Sequence, residues 1–207
     1  MSYKKEFIAF MTEAGALTFG DFTTKSGRKT SYFVNTGSYK TGSQIEKLGA
    51  FYAKCIVENM EAGLIPKDIT CLFGPAYKGI PLVITTAIAL FKNHNMDLNY
   101  CFNRKEEKDH GEGGSMVGYQ LKDGDKILMI EDVITAGTAV RECLPVIQAY
   151  GNVKVEALII SVDRMEKGQG ESTATEEIHR EFGINTFSIV NVKDIAAARG
   201  IDPAIFG

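Results

Sequence analysis

The chain has no tryptophan, only five prolines and only three histidines among its 207 residues. His94 and His179 stand in no metal-ligand spacing, and both read as surface residues. Cysteine is also sparse: Cys55, Cys71, Cys101 and Cys143 are scattered, and no Cys-x-x-Cys pair occurs. Because Cys71 and Cys101 lie in apolar, strand-like runs, buried thiols in a reducing cytosol are expected, not disulfides. Neither sign of charge dominates, since 23 Lys and Arg face 26 Asp and Glu for a net charge of −3. Such a chain has no bulk field to draw nucleic acid or an anionic membrane, so any anionic ligand must be held by local groups. Long apolar runs are missing as well. The longest, PLVITTAIALF at 81–91, falls well short of the roughly 20 residues that span a bilayer. The amino terminus, MSYKKEFIAFMTEAG, has no signal-type apolar core or cleavage site, and Tyr3, Phe7, Phe10 and Met11 suit an amphipathic helix. These absences lead to an expectation of a cytoplasmic protein that binds neither nucleic acid nor membrane.

No repeat, low-complexity tract or Pro/Ser-rich linker divides the sequence, and its length suits one domain with a sizeable core. From about residue 68, short β-branched runs alternate with longer helical ones. Strands are expected at 69–73, 98–102, 127–131, 155–162 and 186–190, and helices at 78–92, 137–150 and 172–182. The last helix begins with the capping box Thr173-x-x-Glu176 and is followed by Gly183. This alternation predicts an α/β fold, a central parallel sheet flanked by helices on both faces. Residues 1–65 read differently: a helix, short polar strands near 17–24 and 30–35, then a helix from about 42 to 62. They are expected to form a small cap on a core of about 66–190, with the helical stretch 191–199 joining the cap.

The most informative stretch is ILMIEDVITAGTAV at 127–140. An apolar strand runs into Glu131 and Asp132, and small or hydroxyl residues from Thr135 to Ala139 then open a helix. In parallel sheets, ligands bind beyond the carboxyl ends of the strands. A turn of small residues lets successive N–H groups converge at a helix amino terminus, which makes a phosphate cradle. Two carboxylates just before such a cradle suit sugar hydroxyls. The P-loop pattern G-x-x-x-x-G-K-[ST] is absent, so ribose 5-phosphate fits better than a nucleoside triphosphate. An ordinary capped strand–turn–helix junction would account for one such polar residue, but not for two acids at the end of an apolar strand.

That stretch closely resembles the phosphoribosyl diphosphate (PRPP) signature of type I phosphoribosyltransferases. With FTTKSGRKTSYFVNTG (22–37), GPAYKGIPL (74–82) and FNRKEEKDHGEGG (102–114), the set resembles the orotate phosphoribosyltransferase family. The resemblance runs in order from about residue 17 to 164. It implies the type I phosphoribosyltransferase-like fold with an amino-terminal hood. It also implies a reaction of orotate with PRPP that yields orotidine 5′-monophosphate and pyrophosphate, with Mg²⁺, in the synthesis of UMP. The sequence departs from the family pattern at Glu131, where many relatives have Asp, and at Val34, where Phe is frequent.

The resemblance also distributes roles. PRPP falls to Lys25, Tyr77, Lys78, Arg104, Lys105, Lys108 and His110, and to the run Glu131, Asp132, Val133, Ile134, Thr135, Ala136, Gly137, Thr138 and Ala139. Orotate falls to Lys25, Phe33, Val34, Thr135 and Arg164, and catalysis to Lys78, Lys105, Lys108, His110 and Asp132. Mg²⁺ is expected to be held mainly by pyrophosphate, ribose oxygens and water, with no dedicated protein cage. Read as residues alone, several of these have plainer explanations. Lys78 could be a snorkelling surface lysine, although a lysine gains nothing from the dipole at a helix start. Arg164 could pair with Asp163 or Glu166, or offer a fork to a carboxylate. The stretch from Asn103 to Gly118 could be a solvated loop, or a cationic lid hinged at Gly111, Gly113 and Gly114. The family lid reaches into a neighbouring subunit, so a symmetric homodimer with shared sites is expected.

Two rivals remain. A PRPP-sensing regulator would need a DNA-binding module or a basic face. A purine or uracil phosphoribosyltransferase has no use for the lysine-rich lid or for a carboxylate-binding arginine. The length leaves no room for a fused decarboxylase, so orotidine monophosphate is the expected end product.

Overall fold

The computed structural model describes residues 2–23, 29–106, 115–168 and 170–200. A helix, α1 (Tyr3–Glu13), leads into an antiparallel pair, β1 (Leu17–Thr23) and β2 (Lys29–Val34), and a single 3₁₀ turn at Thr36–Ser38. Helix α2 (Gly42–Glu61) follows, opened by a reciprocal capping box between Thr41 and Gln44. The rest alternates: β3 (Cys71–Gly74), α3 (Gly79–His94), β4 (Asn99–Asn103), β5 (Met116–Gly118), β6 (Lys126–Val133), α4 (Thr138–Gln148), β7 (Lys154–Asp163), α5 (Ala174–Phe182), β8 (Asn185–Asn191) and α6 (Val192–Arg199). The long apolar run is α3. Its Pro81 sits in the first turn, where a missing N–H costs no helical hydrogen bond. The expected box at Thr173 and Glu176 opens α5, and Gly183 closes it in the left-handed region at φ +68°.

The large sheet has the order β5-β4-β3-β6-β7-β8. Every pairing in it is parallel except that of β4 with the edge strand β5. The sequence reading missed β5, because three residues beside a polar stretch show no period of their own. Side chains alternate across the sheet and build a core on each face. Leu72, Leu128, Ile130, Ala157 and Ile159 pack with α1, α2, α3 and α6. Cys71, Phe73, Ile127, Met129, Leu158 and Ile160 pack with residues of α4 and α5. All four cysteines are free and buried, with Cys71 Sγ 3.6 Å from Cys101 Sγ.

The strand order fixes where a ligand can sit. From β3 the chain winds outward through β4, then returns to the other side of β3 to lay down β6, β7 and β8. The order therefore reverses between β3 and β6, and the crevice beyond the carboxyl ends of those strands is the expected site in such a sheet. Two extents differ from the sequence reading here. β3 begins at Cys71, and β6 runs on through both acids to Val133. Pairing of β3 with β6 nevertheless ends at Phe73 and Met129. Past that point, β6 keeps β7 on one side and is open on the other, which is how a strand can carry two acids into a crevice.

Candidate active site

Asp132 is the buried centre of the crevice, only 6% exposed at the end of β6. Its Oδ2 accepts from Thr36 Oγ1 at 2.5 Å and from Lys78 Nζ at 3.0 Å, and its Oδ1 accepts the Val133 N–H at 2.7 Å. Three segments far apart in sequence thus meet at one carboxylate: the 3₁₀ turn after β2, the N-cap of α3 and the end of β6. The backbone of the two acids is fixed by side chains where the ladder gives out. Tyr52 OH, on a fully buried side chain of α2, donates to the Glu131 carbonyl at 2.7 Å, and Ser161 Oγ donates to the Asp132 carbonyl at 2.6 Å. Ala76 N–H, in the turn after β3, donates to Asn103 Oδ1 at 2.8 Å, so β4 steadies the segment that carries Tyr77 and Lys78.

The two acids are driven apart electrostatically. Burial pushes the Glu131 carboxyl up to about 8, helped by the charge of Asp132 beside it. Burial acts upward on Asp132 too, but hydrogen bonds from Thr36 and Lys78 outweigh it and hold its carboxyl below the usual range. The pair therefore presents one fixed negative charge at neutral pH and one carboxyl that titrates near it.

Beyond Val133 the chain makes the turn expected of a cradle. Gly137 takes φ +68° as the N-cap of α4 and supplies no capping side chain. A Cβ there would fall 2.7 Å from Ile178 Cδ1, so glycine is favoured by its left-handed φ and lets the tip of Ile178 pack close. A cavity of about 310 Å³ opens over this turn, and Glu131, Val133, Thr135, Gly137, Thr138 and Ala139 are among its lining residues. One acid, the small-residue turn and the first N–H groups of α4 share one space, as a sugar phosphate would need. Ile134 is buried beneath the turn, and Ala136 is half-buried in it.

The other expected site residues fall into separate groups. Tyr77, 69% exposed, precedes Lys78 in the turn between β3 and α3. Arg104 closes the base of the polar stretch after β4 through its N–H to the Ser115 carbonyl at 2.7 Å. Lys105 Nζ lies 3.3 Å from Glu142 Oε2, and Glu142 lines the same cavity as the cradle. Phe33 is 51% exposed on β2, with Val34 half-buried next to it. Arg164 leaves the end of β7 and pairs with Glu166 at 3.0 Å, the plainer of its two readings. Its Nε, however, is buried without a hydrogen-bond partner. Lys25, Lys108 and His110 lie outside the described residues, as do the hinge glycines 111, 113 and 114. Among the described residues, no cluster of three or more His, Cys, Asp or Glu side chains is placed to hold a metal ion. No helix among them is long and apolar enough to cross a membrane.

Sequence reasoning missed Thr36, Tyr52, Ser161 and Asn103. Thr36 left a faint signal, a hydroxyl before glycine directly after β2. Tyr52 left none, since a phenol on a face shared with Leu48, Phe51 and Ile56 reads as core.

A family model described as "Phosphoribosyl transferase domain" matches residues 35–191. The chain is 56% identical to a Clostridium beijerinckii protein named orotate phosphoribosyltransferase, over 94% of this chain and 84% of that one. It is 54% identical to a Bifidobacterium adolescentis protein of the same name, over 95% and 86%. The crystal structure of orotate phosphoribosyltransferase from Francisella tularensis matches with a TM-score of 0.83 at 35% identity, covering 97% of this chain and 94% of that one. A Mycobacterium tuberculosis orotate phosphoribosyltransferase solved in complex with PRPP shares the fold, with a TM-score of 0.64 at 18% identity over 93% and 98% of the two chains.

Proposed function

The chain belongs to the orotate phosphoribosyltransferase family, and from that premise we propose that it transfers ribose 5-phosphate from PRPP to orotate. The products are orotidine 5′-monophosphate and pyrophosphate, a step of pyrimidine biosynthesis. One observation carries the reading: a buried Asp132 joins Lys78 and Thr36 at the reversal of the sheet, beside a cavity that holds Glu131 and the small-residue turn.

The assignment of parts follows from chemistry. The turn from Val133 to Ala139 takes the 5′-phosphate on its N–H groups, with hydroxyls from Thr135 and Thr138. Glu131 and Asp132 form hydrogen bonds with the ribose hydroxyls, and the fixed charge of Asp132 favours the positive charge that grows on the sugar. Lys78 and Tyr77 lie on the pyrophosphate side. Arg104, Lys105, Lys108 and His110 form a lid whose cations stabilise the leaving charge and exclude water. Orotate, a planar anion, is held by Lys25, Thr135, the backbone of Phe33 and Val34, and a fork from Arg164. For that fork to form, Arg164 must share or exchange its contact with Glu166, and its unpartnered Nε supplies a donor already stripped of water. Orotate N1 attacks the anomeric carbon as pyrophosphate departs, with inversion through an oxocarbenium-like state. The protein contributes mainly position and charge.

Mg²⁺ fits here chiefly through PRPP itself, whose pyrophosphate and ribose oxygens offer a hard cation its ligands while it keeps most of its waters, and the buried charge of Asp132 nearby favours a cation. When bound to PRPP, it would neutralise the pyrophosphate oxygens. We further read residues 1–207 as one phosphoribosyltransferase domain. Its cap of about 1–65 is joined by the carboxyl-terminal helix and seated through α2 on the α/β core of about 66–190. The working form is read as a cytoplasmic homodimer in which the lid of one protomer completes the site of the other.

The test is direct. Purified protein with orotate, PRPP and Mg²⁺ should form orotidine monophosphate and pyrophosphate in equal amounts, and chelation of the metal should stop the reaction. No turnover with all three present would refute the reading.

A further inference from the structure

Helix α5 carries a buried carboxylate that has no part in the reaction described above. Glu177 is 2% exposed. Its Oε1 accepts the Gly170 N–H at 2.7 Å, and its Oε2 lies 3.9 Å from Arg141 Nη2. The backbone at Gly168 passes so close that a Cβ there would fall 2.2 Å from Oε2. Burying a carboxylate is costly unless it is well partnered, and an apolar residue of similar size often serves cohesion better. A charge in this position is best explained by what it holds.

Three connections meet at this part of α5. The first leads to the phosphate turn: Ile178, next in sequence, is the side chain that a Cβ on Gly137 would strike. The second leads to α4, where Arg141 N–H donates to the Gly137 carbonyl at 3.1 Å and its guanidinium forks onto Glu181 through Nη1 and Nη2. The third leads to the chain that follows Arg164. There Gly168 N–H donates to the Ser172 carbonyl at 2.9 Å, and Ala174 N–H donates to the Glu166 carbonyl at 3.2 Å. Glu166 in turn holds Arg164 at 3.0 Å. Contacts thus run from the phosphate turn through Arg141 and Glu177 to Gly170, and the backbone bonds of Ser172 and Ala174, which follow Gly170 in the chain, lead on to Gly168 and Glu166 and so to Arg164.

We infer that Glu177 is a positioning residue that fixes the separation between the phosphate cradle and the Arg164 fork. It does so through Gly170 on one side and Arg141 on the other. The inference rests on the phosphoribosyl-transfer reading, and it adds a residue that belongs to neither half-site. Its physical content is about linkage. When two half-sites are held at a set distance, a ligand that spans both gains a large effective concentration for its second contact. Slack between the half-sites removes that gain and leaves each separate contact intact.

Orotidine 5′-monophosphate spans both half-sites, whereas ribose 5-phosphate and orotate each occupy one. Calorimetric titration of all three into the wild-type protein and into Glu177→Ala, Glu177→Gln and Arg141→Met separates linkage from simple loss of structure. In Glu177→Ala, each fragment should bind within about threefold of wild type, while orotidine monophosphate weakens roughly tenfold or more. Glu177→Gln keeps an acceptor for the Gly170 N–H and should restore most of the loss. Arg141→Met cuts the same connection from a less buried position, so it gives the answer if the alanine variant does not fold. Parallel weakening of fragments and nucleotide, or unchanged nucleotide affinity, would overturn the inference. Failure of the wild-type protein to bind orotidine monophosphate would overturn the functional reading with it, and that result is visible before any substitution is made.

Discussion

Asp132 concentrates the chemistry of this chain at one side chain, because its carboxylate is buried, charged and shared by Lys78, Thr36 and its own strand end. Asp132→Asn keeps the shape but removes the charge that balances Lys78 and that we propose faces ribose. Turnover should fall on the order of 100-fold or more with folding intact, as steady-state kinetics beside circular dichroism would measure. Unchanged kinetics would remove Asp132 from the site. In the proposed assignment, Arg164→Ala acts on the other half. With the fork gone, the KM for orotate should rise roughly tenfold to a hundredfold while PRPP binding holds. Collapse of PRPP affinity with an unchanged orotate KM would reverse the assignment of the half-sites. Glu131 gives a third outcome, through pH. Its carboxyl is raised in the folded state, so its contribution to stability is full below the ordinary glutamate value and is lost as pH rises through about 8. Between about pH 5 and about pH 8, the melting temperature of the wild-type protein should therefore fall relative to that of Glu131→Gln. Parallel curves would mean that Glu131 is not buried as described.

At the scale of elements, the site depends on a strand that outruns its neighbour and a turn whose left-handed residue favours glycine. Tyr52 replaces a missing ladder bond at the Glu131 carbonyl. Gly137 must be left-handed and must leave room for Ile178. Gly137→Ala should destabilise the fold on the order of 1–3 kcal/mol and weaken PRPP binding more than orotate binding, as denaturant titration and calorimetry would measure. The strand, turn and helix of 127–140 were legible in the sequence because apolar period, paired acids and small residues all changed within a few positions. The boxes at Thr173 and Glu176, and Gly183 after them, were legible for the same reason: cap chemistry is local. What could not be read was the far side of each contact. Nothing about Thr36, Tyr52 or Ser161 announces that it will close on the acids, since each reads as an ordinary polar or core residue until the sheet brings it there. The extension of β6 past Glu131 was hidden likewise, because a strand that enters a crevice loses its alternation where it becomes useful. The short strand β5 was invisible for want of length.

The whole molecule places these parts through its strand order. The reversal between β3 and β6 sets Lys78 opposite Asp132, and the β4–β5 hairpin holds the base of the cationic stretch at the sheet edge. In the single chain, Lys105 rests on Glu142 at the cavity rim. The dimer reading has it complete the partner's site instead. Mixing inactive Lys105→Ala with inactive Asp132→Asn under subunit exchange decides between these. Random pairing makes about half of the dimers mixed, and about a quarter of all sites would then carry neither lesion. Recovery to roughly that fraction supports sharing, and no recovery after demonstrated exchange would confine the lid to its own subunit. The most direct test of the function itself is a competition. Orotate, uracil and adenine are offered together with PRPP and Mg²⁺, and the nucleotides formed are separated and quantified. A site with a guanidinium fork set for a carboxylate should yield orotidine monophosphate and essentially nothing else. Preferential formation of uridine or adenosine monophosphate would contradict the assignment of Arg164 and of the acceptor.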